Sequence, residues 1–132
     1  MQEQDYNLIT HKVIKCAIEV HKYLGPGLME SVYEACLYRE IQSAGLYIER
    51  QKVLPVVYKG IQLDKDFIID QLVENEIVLE LKSIDGILPI HDAQLLTYLR
   101  LSNRKLGLLI NFNVTVLKDG IRRKINGKLN HK

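Results

Sequence analysis

The segment Ile77-Val78-Leu79-Glu80-Leu81-Lys82 carries two charges inside a run otherwise apolar enough for a fully buried strand, and that conflict limits the folds open to this chain. Strand side chains alternate, so Glu80 and Lys82 share one face while Ile77, Leu79 and Leu81 take the other. The preceding segment, Phe67 to Val73, reads as a second strand, and Glu74-Asn75-Glu76 as a short hairpin connection. With those three residues as the loop, Val73 faces Ile77 and Asp70 lies opposite Glu80. Opposed carboxylates repel by roughly 0.2–1 kcal/mol on a solvated surface and by more once desolvated, so something positive is expected between them. Lys82 partly fills that role. The net negative pocket that remains suits a hard divalent cation such as magnesium, held by carboxylate oxygens from adjacent strands. An Asp-Lys-Glu cluster on a solvated sheet face, or an edge strand kept soluble by charges, produces the same pattern.

A chain of 132 residues is expected to form one domain able to bury roughly two-thirds of its unfolded surface without a disulfide or metal staple. Its composition, 47% hydrophobic and 26% charged, is that of a soluble globular protein. The apolar runs are far short of a membrane span and Met1-Gln2-Glu3-Gln4-Asp5 lacks signal-peptide character, so a cytoplasmic location and no membrane partner are expected. Cys16 and Cys36 fall on apolar helical faces without ligand spacing and read as buried free thiols. Charge is uneven. Residues 118–132 hold Lys118, Arg122, Arg123, Lys124, Lys128 and Lys132 against Asp119 alone, a basic tail that either leans on phosphates or is simply solvated.

The order of elements predicts an α/β fold. Apolar residues at helical spacing from Leu8 to Leu24, stopped by Gly25-Pro26-Gly27, mark a first helix, and Val32 to Ala44, stopped by Gly45, a second. Tyr47 to Tyr58 reads as a strand pushed toward an edge or a bulge by Pro55. After the two strands already described come a loop closed by Pro89, a helix from Ile90 to Leu101 packed through Leu95, Leu96, Leu99 and Leu101, and a buried strand from Leu106 to Phe112. Val114–Leu117 and Ile121–Ile125 are expected to form a last hairpin across Lys118-Asp119-Gly120. A meander joined through a crossover helix to a further strand makes a mixed central sheet flanked by helices.

Further polar residues cluster by spacing. His91, Gln94 and Tyr98 lie on one stripe of the third helix, which either faces the charged patch of the sheet or marks the helix boundary. Glu30 opens the second helix, where it complements the helix terminus, and Ser31 with Glu34 fits a capping box. Together, Asp70, Glu80-Leu81-Lys82 and Gln94-Leu95-Leu96-Thr97-Tyr98 resemble the PD-(D/E)xK nuclease superfamily, and the Gln-x-x-x-Tyr element its RecB-like exonuclease branch. With Gly27-x-x-Glu30-x-x-Tyr33, Pro89-Ile-His91-Asp-Ala-Gln94 and Gly107-Leu-Leu-Ile-Asn111-Phe112, the chain from about His11 to about Ile125 is similar to the small bacterial and archaeal family named for its Gly-x-x-Glu-x-x-Tyr motif. The proline of the superfamily signature is absent before Asp70, where Ile69 stands.

The resemblance implies a restriction-endonuclease-like core and phosphodiester hydrolysis, with DNA as substrate and RNA as an alternative. By it, Asp70 and Glu80 bind magnesium or manganese, the carbonyl of Leu81 completes the protein's share of the shell, and Glu30 adds a metal contact or orients the ligands. Lys82 then acts on the attacking water and the phosphate, while Gln94 and Tyr98 hold the metal ligands or the nucleic-acid backbone. Without a separate recognition domain, grip on nucleic acid must come from homo-oligomerisation, a partner or the basic tail. The competing reading is a catalytically inactive module that keeps the fold for interaction or oligomerisation.

Overall fold

The computed structural model describes residues 1–129. Helix α1 (Glu3–Leu24) begins where Asp5 accepts the Gln2 N–H at 2.9 Å and ends at Gly25, whose φ of 72° terminates the helical run. After α2 (Glu30–Ser43) come β1 (Ile48–Tyr58) and β2 (Ile61–Val73), then β3 (Ile77–Lys82), α3 (Pro89–Ser102), β4 (Leu106–Asn111), a 3₁₀ turn (Leu117–Gly120) and β5 (Ile121–Ile125). Strand β2 starts six residues earlier than the apolar pattern suggested, because Ile61–Asp66 pairs with β1 while exposing its side chains. Among the described residues the strands form one sheet in the order β1-β2-β3-β4-β5, antiparallel except between β3 and β4, which α3 connects in parallel.

The sheet separates two cores. Helices α1 and α2 cover one face, where Ile77, Leu79, Leu81, Leu106, Leu108 and Ile110 are buried; α3 covers the other through Leu95 and Leu99 on Val78 and Leu109. Gly107 permits that second contact, since a Cβ there would meet Leu95 Cδ1 at 2.8 Å and Val78 O at 3.1 Å. Leu101, expected to pack with Leu95 and Leu99, is 43% exposed because two residues beyond Leu99 it has turned to the opposite side of α3. The expected hairpin over Val114–Leu117 and Ile121–Ile125 does not form. Leu117 is drawn into the core and the chain turns through the 3₁₀ segment, so that Ile121–Ile125 pairs with β4 as an edge strand instead. The basic tail is correspondingly not a free terminus: Arg122 and Lys124 pair with Asp92 of α3 and Arg123 donates to Asn7 of α1, while Lys132 lies outside the described residues.

Strands β1 and β2 do not keep a single alternation. Ile48 and Val73 belong to the α1/α2 side, yet Leu54, Phe67, Ile69 and Leu72 belong to the α3 side. Ile69 and Leu72, three residues apart, share a face that strict period two would deny them. The switch falls at Asp70–Gln71, opposite Gln51, whose φ is 51°. It sets up the site.

Candidate active site

The β2–β3 register is the expected one, with Val73 opposite Ile77, Leu72 opposite Val78 and Gln71 opposite Leu79. The ladder then stops one pair short of Asp70 and Glu80, and the Leu81 N–H turns to Asp70 Oδ2 at 2.8 Å. Glu80 is 5% exposed and its Oε1 is buried without a donor. Burial, then a hydrogen bond to Asp70 and the charge of Asp70, push the Glu80 carboxyl up to about 10, against the opposing pull of Lys82. Two carboxylates thus share a proton where a cation would serve both, and a buried oxygen acceptor with no donor fits a hard divalent ion. Among the described residues no three His, Cys, Asp or Glu side chains gather as a ready-made metal cage. A cation here would rest on the Asp70–Glu80 pair and need further oxygen ligands.

Glu30 and Lys82 are coupled electrostatically to this pair. Glu30, the first residue of α2, shares a cavity of about 420 Å³ with Asp70 and Leu81, and its carboxyl is raised by partial burial and by Asp70, with Lys82 opposing. Its delivery depends on Tyr33. That ring is fully buried and stacked on Phe112 at 4.5 Å, while its hydroxyl donates to Gly25 O at 2.5 Å and accepts the Leu28 N–H at 3.1 Å. The hydroxyl pins the turn that leads into Glu30. From α3, Tyr98 packs against Phe67 at 5.1 Å, and its hydroxyl is raised by burial and by the charges of Glu80 and Asp70. Gln94, one turn earlier, donates to that hydroxyl at 3.2 Å. His91 does not join them; its Nδ1 accepts the Leu88 N–H at 2.9 Å and caps α3.

A family model described as the PD-(D/E)XK nuclease superfamily matches residues 7–124. The chain belongs to that superfamily. The crystal structure of SSO0001 aligns with a TM-score of 0.51 at 24% identity, covering 76% of this chain and 52% of that one. The present chain thus spans about half the length of that protein, and the likeness concerns the fold alone. No curated protein sequence matches. The five-stranded mixed sheet flanked by helices is the restriction-endonuclease-like architecture of the superfamily, whose nucleases generally use divalent metals.

Three features of this superfamily member escape a reading of the sequence. Ser31 and Glu34 do not form a capping box: Met29 is the N-cap of α2, without a side-chain bond, and Glu34 points instead across to the sheet. There it takes a bidentate pair from Arg50, while Gln71 Nε2 donates to Glu34 Oε2 at 3.0 Å and to Glu34 O at 2.9 Å. Burial alone would raise the Glu34 carboxyl; the hydrogen bonds from Arg50 and Gln71 and the Arg50 charge outweigh it and hold it below the usual range. This network anchors α2 to β2 beside Asp70. Asn111, buried at the end of β4, closes the far side: its Oδ1 accepts the Ile84 N–H at 3.1 Å and its Nδ2 donates to Ile84 O at 3.0 Å, fixing the loop after Lys82. Ser83 Oγ completes the frame by donating to Leu28 O at 2.6 Å. Only the i, i+4 spacing of Glu30 and Glu34 hinted at a second inward acid, since the partners come from other strands.

Proposed function

We propose that this protein is a divalent-metal-dependent nuclease that hydrolyses phosphodiester bonds in DNA, of the RecB-like branch and the group bearing the Gly-x-x-Glu-x-x-Tyr motif. The buried, donorless Oε1 of Glu80 beside Asp70 carries the reading. Asp70 and Glu80 hold magnesium or manganese, with Glu30 and the Leu81 carbonyl as further contacts. When bound, the ion acidifies water and neutralises charge developing on phosphate. Lys82, on the strand face of Glu80, orients the attacking water, whose oxygen forms the new bond to phosphorus as the bond to the leaving oxygen breaks. Gln94 and Tyr98 support Glu80 from α3, and Tyr33 holds the turn that delivers Glu30.

A second reading, a nuclease-fold module for homo-oligomerisation, is favoured by one observation: Val53, Val57, Tyr58, Ile61 and Ile68 are exposed along the β1–β2 hairpin. Incubating the protein with linear and single-stranded DNA and with RNA, in magnesium or manganese, tests the first reading. DNA cleavage that Lys82→Ala abolishes, with manganese affinity retained by calorimetry, is expected. If no substrate is cut with either metal and the protein sediments as an oligomer, the second reading replaces it.

A further inference from the structure

Gln51 stands in the middle of β1 with φ at 51°, a left-handed conformation that residues bearing a Cβ adopt at a cost and glycine adopts freely. A glycine would make the same kink, so the kink alone does not account for a long polar side chain there. Gln51 falls between the Arg50–Gln71 and Lys52–Ile69 pairs of the ladder, and it lines the cavity that holds Glu30, Glu34 and Asp70. Its neighbours are committed elsewhere: Arg50 to Glu34 and to the face of Tyr38, Lys52 to Glu49 at 2.9 Å. Gln51 is exposed, and among the described residues its side-chain amide has no hydrogen-bond partner.

We propose that Gln51 is a substrate-contacting residue whose side-chain amide donates to a phosphate oxygen of the DNA strand entering the cavity, an inference that rests on the nuclease reading above. The chemistry favours this residue type. A lysine or arginine at this position would fold onto the carboxylates of Glu30, Glu34 or Asp70, whereas a neutral amide is held by them less strongly than a cation and still offers two N–H donors. Within the cavity Glu34 already accepts from Arg50 and Gln71, and Asp70 from the Leu81 N–H, so an entering phosphodiester brings a further acceptor for the Gln51 amide. The left-handed kink is then the local cost of aiming that amide beside Asp70.

The test compares wild type, Gln51→Gly and Gln51→Ala in three measurements: anisotropy with a fluorescein-labelled 20-mer DNA in calcium, manganese titration by calorimetry, and thermal unfolding. Both variants are expected to bind DNA about tenfold more weakly, the loss of one hydrogen bond to a charged acceptor, with manganese affinity within about twofold of wild type. Gln51→Gly is expected to melt at or a few degrees above wild type, because the strain goes with the side chain. Unchanged DNA affinity overturns the inference, as does a fall in manganese affinity equal to the fall in DNA affinity, which would put Gln51 with the metal ligands. A lower melting temperature for Gln51→Gly overturns it too, making the side chain structural. If wild type cuts DNA while the Gln51 variants bind it as tightly, only this inference fails; if wild type neither binds nor cuts DNA, the nuclease reading fails and takes this one with it.

Discussion

Replacing Glu80 by glutamine is expected to stabilise the metal-free protein, although it removes a residue from the centre of the site. The folded protein holds the Glu80 proton up to about pH 10, whereas the unfolded chain releases it near 4.5. Because the folded value is the higher one, the contribution of Glu80 is fully present below 4.5 and is lost as pH rises through this window. Between 4.5 and pH 7 the loss, at roughly 1.4 kcal/mol per pH unit, comes to about 3 kcal/mol. Glutamine keeps the shape and a donor toward Asp70 but has no proton to lose. For a domain of this size the gain corresponds to a rise of roughly 10 °C in melting temperature. Circular-dichroism melts in EDTA from pH 5 to pH 9 measure it: the wild-type melting temperature should fall with pH more steeply than that of the variant, and the two curves should converge at the acid end. Manganese at pH 8 should then raise wild type but not Glu80→Gln, since the cation displaces the proton that glutamine lacks. Parallel pH profiles, or a variant that melts within about 2 °C of wild type at pH 8, would refute the argument that an uncompensated buried carboxyl sits here.

Tyr33→Phe keeps the ring stack on Phe112 but removes both hydroxyl bonds to the Gly25–Leu28 turn, so denaturant unfolding should show a loss of about 1–2 kcal/mol, and under the proposed nuclease function DNA cleavage should slow as Glu30 loses its placement. Gly107→Ala drives a methyl into Leu95 and the Val78 carbonyl and should cost about 1–3 kcal/mol, read in the same assay. Glu34→Ala leaves Arg50 without its carboxylate and the Gln71 amide with only the Glu34 carbonyl; with Arg50 half-exposed, a loss of about 2 kcal/mol is expected, and Glu34→Gln should recover only part of it.

Short-range rules settled much of this molecule before any tertiary contact. Period two put Glu80 and Lys82 on one face of β3, and the three-residue loop Glu74–Glu76 brought Asp70 level with Glu80, because both follow from backbone geometry within a dozen residues. The same holds for α1, α2 and α3, whose ends are marked by Gly25, Gly45 and Pro89. Tertiary structure decided whatever depended on a partner far along the chain. Glu34 satisfies the local rule for a capping box, yet Arg50 and Gln71 offer it stronger bonds than the helix terminus does. Val114–Leu117 has strand propensity, but burial of Leu117 and the open edge of β4 outweigh a local hairpin. The face switch at Gln51 and Asp70 is equally invisible to pattern, since it arises where two strands between different helical layers must each bury an apolar side chain on opposite sides of one sheet. That switch ends the β2–β3 ladder and turns the Asp70 carboxylate onto the backbone of β3. Sequence chose the charged residues; packing of the two layers determined where their charges meet.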